Sequence, residues 1–550
     1  MADREISAET VAAAERLAAV EYTPAERTQM LGKLDEHVGR ARARRAFEPA
    51  NGLGPAVVFD PRLPGVALAP NDGGFQPSEP APTPLPALDV DIAFAPVTAL
   101  GAWLRRGDIT STRLTEIYLE RLERIGAALE CTVTPTRELA MAQAARADAE
   151  IAQGRYRGPL HGVPWGAKDL LDTDGIATTW GAAPYQDRVA TRDAAVVARL
   201  ADAGAVLIAK LTLGALAFGD TWFGGKTRNP WNTAEGASGS SAGSASAVAA
   251  GLAGFAIGTE TLGSIVGPSE RCGTTGLRPT FGRVSRAGAM ALCWSLDKIG
   301  PICRSVEDTA LVLDAINGHD AEDPGSIAMP FAFDAARSAK GLRLGYSPAW
   351  FDGDAATGLD RAALDAARCA GLELVELALP DLPYATLETI LDVEAAAAFE
   401  DLTLSDRDDA LRCQDEAAWP NVFRAAHLVS AVDFIQAERL RRAVMVVAAG
   451  LFAEVDAVIG SFANGSMLVV TNFTGHPSLT LRAGFVEHWS RGMSPASDDA
   501  DMRPDVGGRA QRVPHGVTLV GRLFDEGTLC TIGMALEAEF GVGGERPPTG

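Results

Sequence analysis

At 550 residues, with 47% hydrophobic and 22% charged content, the chain has a globular composition and is long enough for more than one core. Its net charge of −22 argues against nucleic acid or an anionic membrane as a partner. Seven dispersed cysteines with no Cys-x-x-Cys pair suit reduced thiols in a cytoplasm, and the sequence gives no reason to expect a signal peptide or a membrane-spanning segment.

In chain order, Ser7 is placed to cap a helix over residues 8–19. Thr23-Pro24-Ala25-Glu26 is a capping box that starts a second helix toward Arg45. Residues 1–47 are therefore expected to form a helical hairpin. Two amphipathic helices at the end of a long connector need a partner surface, either a second copy, which makes the hairpin a candidate homodimerisation element, or this chain's own catalytic domain. Residues 48–92 are rich in proline and glycine and form an extended connector. From 93 to 550 the pattern is α/β. Helices are expected at 97–106, 111–126, 136–152 and 193–203, and strands near 129–134, within 162–172, and at 205–209. Alanine-rich helices follow at 386–400 and 429–453, then a polar surface loop over 487–514, a strand at 516–521 and a closing helix at 525–540. Strands alternating with helices imply an internal sheet covered on both faces.

The chemistry concentrates in two glycine- and serine-rich stretches, Gly236–Ala247 and Gly258–Ile265, separated by an uncharged apolar run. The basic residues are almost all arginine, and the only lysines are Lys33, Lys168, Lys210, Lys226, Lys298 and Lys340. Lys168 ends the apolar segment Val163-Pro-Trp-Gly-Ala-Lys168, where burial disfavours the ammonium and lets the amine act as a base, which arginine cannot do. Asp169 should point to the opposite face of that strand. Amide hydrolysis needs an activated hydroxyl, a proton acceptor and donors aimed at the developing oxyanion. Ser264, Lys168 with Ser240 between them, and the backbone N–H groups of Thr261, Leu262, Gly263 and Ser264 supply those parts. Gly239-Ser-Ser-Ala-Gly243 also fits Gly-x-Ser-x-Gly with Ser241 as nucleophile, but a loop precedes it where a nucleophile elbow needs a buried strand. Asp220–Thr227, with Lys226, lacks the first glycine of a phosphate-binding loop. Trp222, Phe223 and Trp294 flank the motifs and are candidates for an apolar substrate pocket or for the core. Nothing in the pattern calls for a cofactor or a metal.

Residues from about 93 to 541 resemble the amidase signature family of Ser–cis-Ser–Lys hydrolases. The resemblance rests on Gly162-Val-Pro-x-x-x-Lys168-Asp, Asn229-Pro-Trp-Asn232, the Ser240-Ser241 loop, Gly258-Thr-x-Thr-x-Gly-Ser264-Ile, the segment Cys272–Ser285, Ser295-Leu-Asp-x-Ile-Gly-Pro301, Asn472–Ser478 and Gly516–Asp525. It implies an α/β/α sandwich around a mixed sheet and an amidase acting on a small-molecule amide. Ser264 would be the nucleophile, Ser240 the bridging serine after a cis peptide bond, and Lys168 the base. The amides of residues 261–264 would form the oxyanion hole. Alternatives on the same site are an esterase or carbamate hydrolase, and the glutamine-hydrolysing subunit of a tRNA-dependent amidotransferase. The chain departs from the family pattern at Glu260, Leu262 and Val266. Val266 replaces an arginine of a supporting ion pair, which leaves Arg271 as the candidate substitute.

Overall fold

The computed structural model describes residues 6–68, 73–79, 83–353, 356–461, 465–492 and 508–548. Eleven strands make one mixed sheet. In chain order they are β1 (Thr132–Pro135), β2 (Pro164–Lys168), β3 (Val206–Leu211), β4 (Phe255–Glu260), β5 (Thr275–Arg278), β6 (Lys298–Cys303), β7 (Arg343–Tyr346), β8 (Glu373–Glu376), β9 (Ala457–Gly460), β10 (Ser478–His488) and β11 (Gln511–Gly521). Across the sheet the order is β8-β7-β9-β11-β10-β5-β6-β4-β2-β3-β1. β4, β2 and β3 run parallel to one another, and β6 is antiparallel to β4.

Both faces of the sheet are covered, which explains why its central strands are continuously apolar. β4 alternates between two cores: Phe255 and Ile257 join the one containing Val306, Ala310 and Leu313 of helix Val306–Ile316. Ala256 joins the other, with Leu122 and Ile125 of helix Ser111–Leu129 and most of helix Ala242–Ala249. The expected α/β/α sandwich is the one observed. No helix among the described residues is long and apolar enough to cross a membrane.

Most elements fall where the sequence places them, including helices Val97–Arg106 and Arg137–Ala152. Helix Ser111–Leu129 runs three residues past its expected end, because Leu122, Ile125 and Leu129 continue its buried stripe. The chain then turns through Glu130 at φ 51°, and the strand begins only at Thr132. The excursion expected over 487–514 is partly sheet. β10 extends to His488 and β11 starts at Gln511, with Val486 opposite Val513. Asp498–Asp501 lie outside the described residues.

The N-terminal hairpin comprises α1 (Ala8–Ala18) and α2 (Pro24–Arg44). The capping box is present: Glu26 accepts the Thr23 N–H at 2.7 Å while Thr23 Oγ1 accepts the Glu26 N–H at 3.3 Å. Arg27 bridges back to Glu15 on α1 at 2.7 Å, and Arg44 and Arg45 reach Glu400 on the body of the protein.

Candidate active site

β2 is buried throughout and delivers Lys168 to the end of the parallel strands, where the two serine-bearing stretches converge. The Lys168 amine is fully buried. Its Nζ lies 2.8 Å from Ser240 Oγ, 3.0 Å from Ser241 Oγ and 2.8 Å from Thr259 Oγ1. Burial pushes its pKa well below that of an ordinary lysine, and the more distant charges of Asp297 and Glu260 only partly oppose this. Asp169 faces away, as its place on a strand requires. It pairs with Lys210 at 3.0 Å and accepts the Thr179 N–H at 2.9 Å, so its charge is occupied elsewhere.

The serine loop is shaped by close packing. The Gly239–Ser240 peptide is cis. A Cβ on Gly239 would lie 1.8 Å from the Gly219 carbonyl oxygen, so only glycine fits there. Ser241 then starts helix Ala242–Ala249. Its hydroxyl donates to the Thr259 carbonyl at 3.1 Å and accepts from the Thr259 N–H at 3.1 Å and from Lys168. Fully buried Ser241 thus has its proton engaged and its oxygen already accepting two bonds. A Cβ on Gly258 would come within 2.8 Å of that hydroxyl, which accounts for glycine on β4 at this point.

The Ser241 N–H donates to the Ser264 carbonyl at 3.1 Å and ties the loop to the turn that follows β4. That turn passes through Gly263 at φ 89°. Among the described residues no acceptor is bonded to the N–H groups of Thr261, Leu262, Gly263 or Ser264. Those of Ile265 and Val266 go to Glu260 Oε2 at 2.8 and 3.0 Å. Glu260 is the clamp of the turn. Its Oε1 accepts from Arg278 at 2.6 Å and from Asn472 at 3.0 Å. Burial raises its carboxyl pKa, and Arg278, Lys298 and the Val266 N–H together outweigh that, bringing it down to about 2. From the cavity side, Asp297 accepts the Thr261 hydroxyl at 2.6 Å and the N–H groups of Leu292 and Cys293 at 2.8 and 3.0 Å.

Arg271 is not the substitute for the missing arginine. It lies 3.7 Å from Glu235 and donates to the carbonyls of Arg491 and Gly492, whereas the supporting pair is Arg278–Glu260. Two of the three candidate pocket aromatics are corrected as well. Trp222 is buried beneath Gly224 and edge-on to Phe223 at 4.9 Å, and neither lines the cavity beside the turn. Trp294 does line it. This cavity, about 560 Å³, reaches the site at Thr259 and Thr261. Residues 50–59 of the connector form part of its wall, and no local signal in the sequence announces that placement. Sequence reasoning also missed the roles of Asp297 and Arg278, although both sit inside the family motifs as residues with no assigned partner.

Comparison with known proteins places the chain in a family. The model of the amidase family matches residues 113–530. A glutamyl-tRNA(Gln) amidotransferase subunit from Geobacter metallireducens is 33% identical over 465 residues, covering 79% of this chain and 95% of that one. Its counterpart from Methylococcus capsulatus is 38% identical over 293 residues, 52% of this chain and 60% of that one. The crystal structure of the peptide amidase of Stenotrophomonas maltophilia superposes with a TM-score of 0.69 at 30% identity, covering 82% of this chain and 98% of that one. With the family matched over more than half of its length, this chain belongs to the amidase signature family of amide C–N hydrolases.

Proposed function

We propose that the chain hydrolyses a small-molecule amide through an acyl-enzyme on Ser264, with Lys168 as the base and Ser240 as the proton bridge. The observation that carries this reading is a fully buried amine 2.8 Å from the Ser240 hydroxyl, on a loop bonded to residue 264. Neutral Lys168 accepts the Ser240 proton as Ser240 takes that of Ser264. Ser264 Oγ forms a bond to the carbonyl carbon, and the N–H groups of residues 261–264 receive the oxyanion. As the carbon–nitrogen bond breaks, the protons return along the chain to the leaving nitrogen. Water then enters by the same relay and releases the acid, regenerating Ser264.

The relatives named as amidotransferase subunits support a second reading, in which glutamine is the amide donor. Turnover of aryl amides, aliphatic amides, esters, carbamates and glutamine separates the two. An aryl or apolar amide is expected to exceed glutamine in kcat/KM by at least about a hundredfold, ~2.7 kcal/mol. A preference for glutamine would overturn the small-molecule reading.

The same proposal takes the hairpin as a self-association element. Leu17, Val20 and Val38 are exposed on it. Full-length protein is expected to sediment as a dimer, and Leu17→Glu with Val38→Glu as a monomer. An oligomeric state unaffected by both substitutions would remove this role.

A further inference from the structure

Residues 50–59 leave the hairpin and run along the cavity that borders the serine site at Thr259 and Thr261, far in sequence from everything they touch. Asn51 is their first anchor. Its Oδ1 accepts the Ala291 N–H at 2.8 Å, and its Nδ2 donates to the carbonyls of Ala291 at 2.9 Å and Ala398 at 3.3 Å. Its own carbonyl accepts from Trp294 Nε1 at 3.2 Å. Gly54 lies flat on the same indole, where a Cβ would approach Cδ1 to 3.2 Å. Phe59 is the second anchor. Its ring lies 3.4 Å from the Arg441 guanidinium carbon and edge-on to Phe281, and Arg441 in turn holds the Ser295 carbonyl at 2.7 Å. The segment between these anchors forms part of the cavity wall, together with Trp180, Met290 and Leu292. It lies before residue 113, where the family match begins.

The charge pattern of the walls narrows the ligand. Arg188, Arg192 and Arg286 line the cavity, and each already faces a carboxylate, of Asp172, Glu322 and Asp323 respectively. The Lys298 amine donates to the main-chain carbonyls of Leu296 and Thr261. A substrate carboxylate entering here would meet five wall carboxylates, those of Asp172, Asp297, Glu322, Asp323 and Glu394, against three arginines and Lys298, whereas an aryl or branched alkyl group meets Leu53, Pro55, Met290, Leu292 and Trp294.

We infer that residues 50–59 are a strap that selects substrate: it admits compact, apolar amides without a carboxylate and turns away chains that continue beyond the scissile bond. This deepens the proposed function and rests on Ser264 being the reacting group.

The test uses two covalent probes rather than an unknown substrate. Phenylmethanesulfonyl fluoride is the compact probe, and a sulfonyl fluoride carrying a tripeptide tail is the extended one. Labelling rates at Ser264 are followed by mass spectrometry. In the wild-type chain the compact probe is expected to react at least about tenfold faster. Asn51→Ala, which frees the strap, is expected to narrow that ratio about tenfold by accelerating the extended probe. Trp294→Phe removes the hydrogen bond to the Asn51 carbonyl and trims the ring beneath Gly54 while keeping an aromatic wall; it should narrow the ratio less, which keeps the test intact should the Asn51 variant fold poorly. Equal wild-type rates, or a ratio unchanged in a folded variant, would overturn the strap. Labelling absent from Ser264 with both probes would instead defeat the proposed function, and the strap with it.

Discussion

Lys168→Arg is expected to be as inactive as Lys168→Ala, losing at least about a thousandfold in kcat/KM. Arginine keeps the positive charge and can donate to Ser240, Ser241 and Thr259, but it cannot accept the Ser240 proton. A purely structural lysine would tolerate the change far better. In the wild type, activity should rise as pH climbs through the Lys168 pKa and then level off, because the amine works only when neutral and burial already holds that pKa well below the ordinary lysine value. The wild-type profile alone would not identify the group. Burial, with Arg278 nearby, also brings Lys298 down to about 7, and its amine touches the Thr261 carbonyl. The arginine variant separates the two lysines, since it leaves Lys298 in place. Turnover of an activated aryl amide by that variant at every pH from 6 to about 10 should stay at background. Near wild-type activity on the upper plateau would make Lys168 structural and end the relay.

Arg278→Met is expected to destabilise the fold by about 3–5 kcal/mol at neutral pH, because it leaves Glu260 as a buried carboxylate stripped of its cation. Glu260 holds the N–H groups of Ile265 and Val266, and Arg278 also bonds Thr471 Oγ1 at 3.0 Å and the His476 carbonyl at 2.9 Å. The pH dependence has a definite sign. The folded-state pKa of Glu260 is depressed from 4.5 to about 2, so its stabilising contribution is fully present above about 4.5 and is lost as pH falls toward 2. The deficit of the methionine variant should therefore shrink as the solution is acidified below pH 5. Chemical denaturation at pH 7 and at lower pH checks both statements. A variant as stable as wild type at pH 7 would mean that Glu260 holds the turn without its arginine.

What the sequence made legible was local. Lys168 stands out in an arginine-heavy composition, and the apolar strand around it predicts a buried amine, which is what β2 provides. Helix Val97–Arg106 ends where Gly107 adopts φ 76°, a stop visible in the residues themselves. Relations across the sheet were not legible. Arg271 and Arg278 are seven positions apart, and only the placement of β5 two strands from β4 decides which guanidinium meets Glu260. Trp222 and Trp294 are equally apolar in sequence, and only the fold puts one in the core and the other on the cavity. The contact between Asn51 and Ala291 spans 240 residues, and a proline- and glycine-rich connector carries no periodicity that would announce it.

The proposed mechanism puts the covalent intermediate on Ser264 rather than on its neighbour Ser241. The most direct test is to label the full-length protein with a biotinylated fluorophosphonate and locate the adduct by peptide mass spectrometry, alongside Ser264→Ala and Ser241→Ala. The predicted result is an adduct on Ser264, with labelling and turnover both abolished in Ser264→Ala. An adduct on Ser241, with activity surviving in Ser264→Ala, would contradict it.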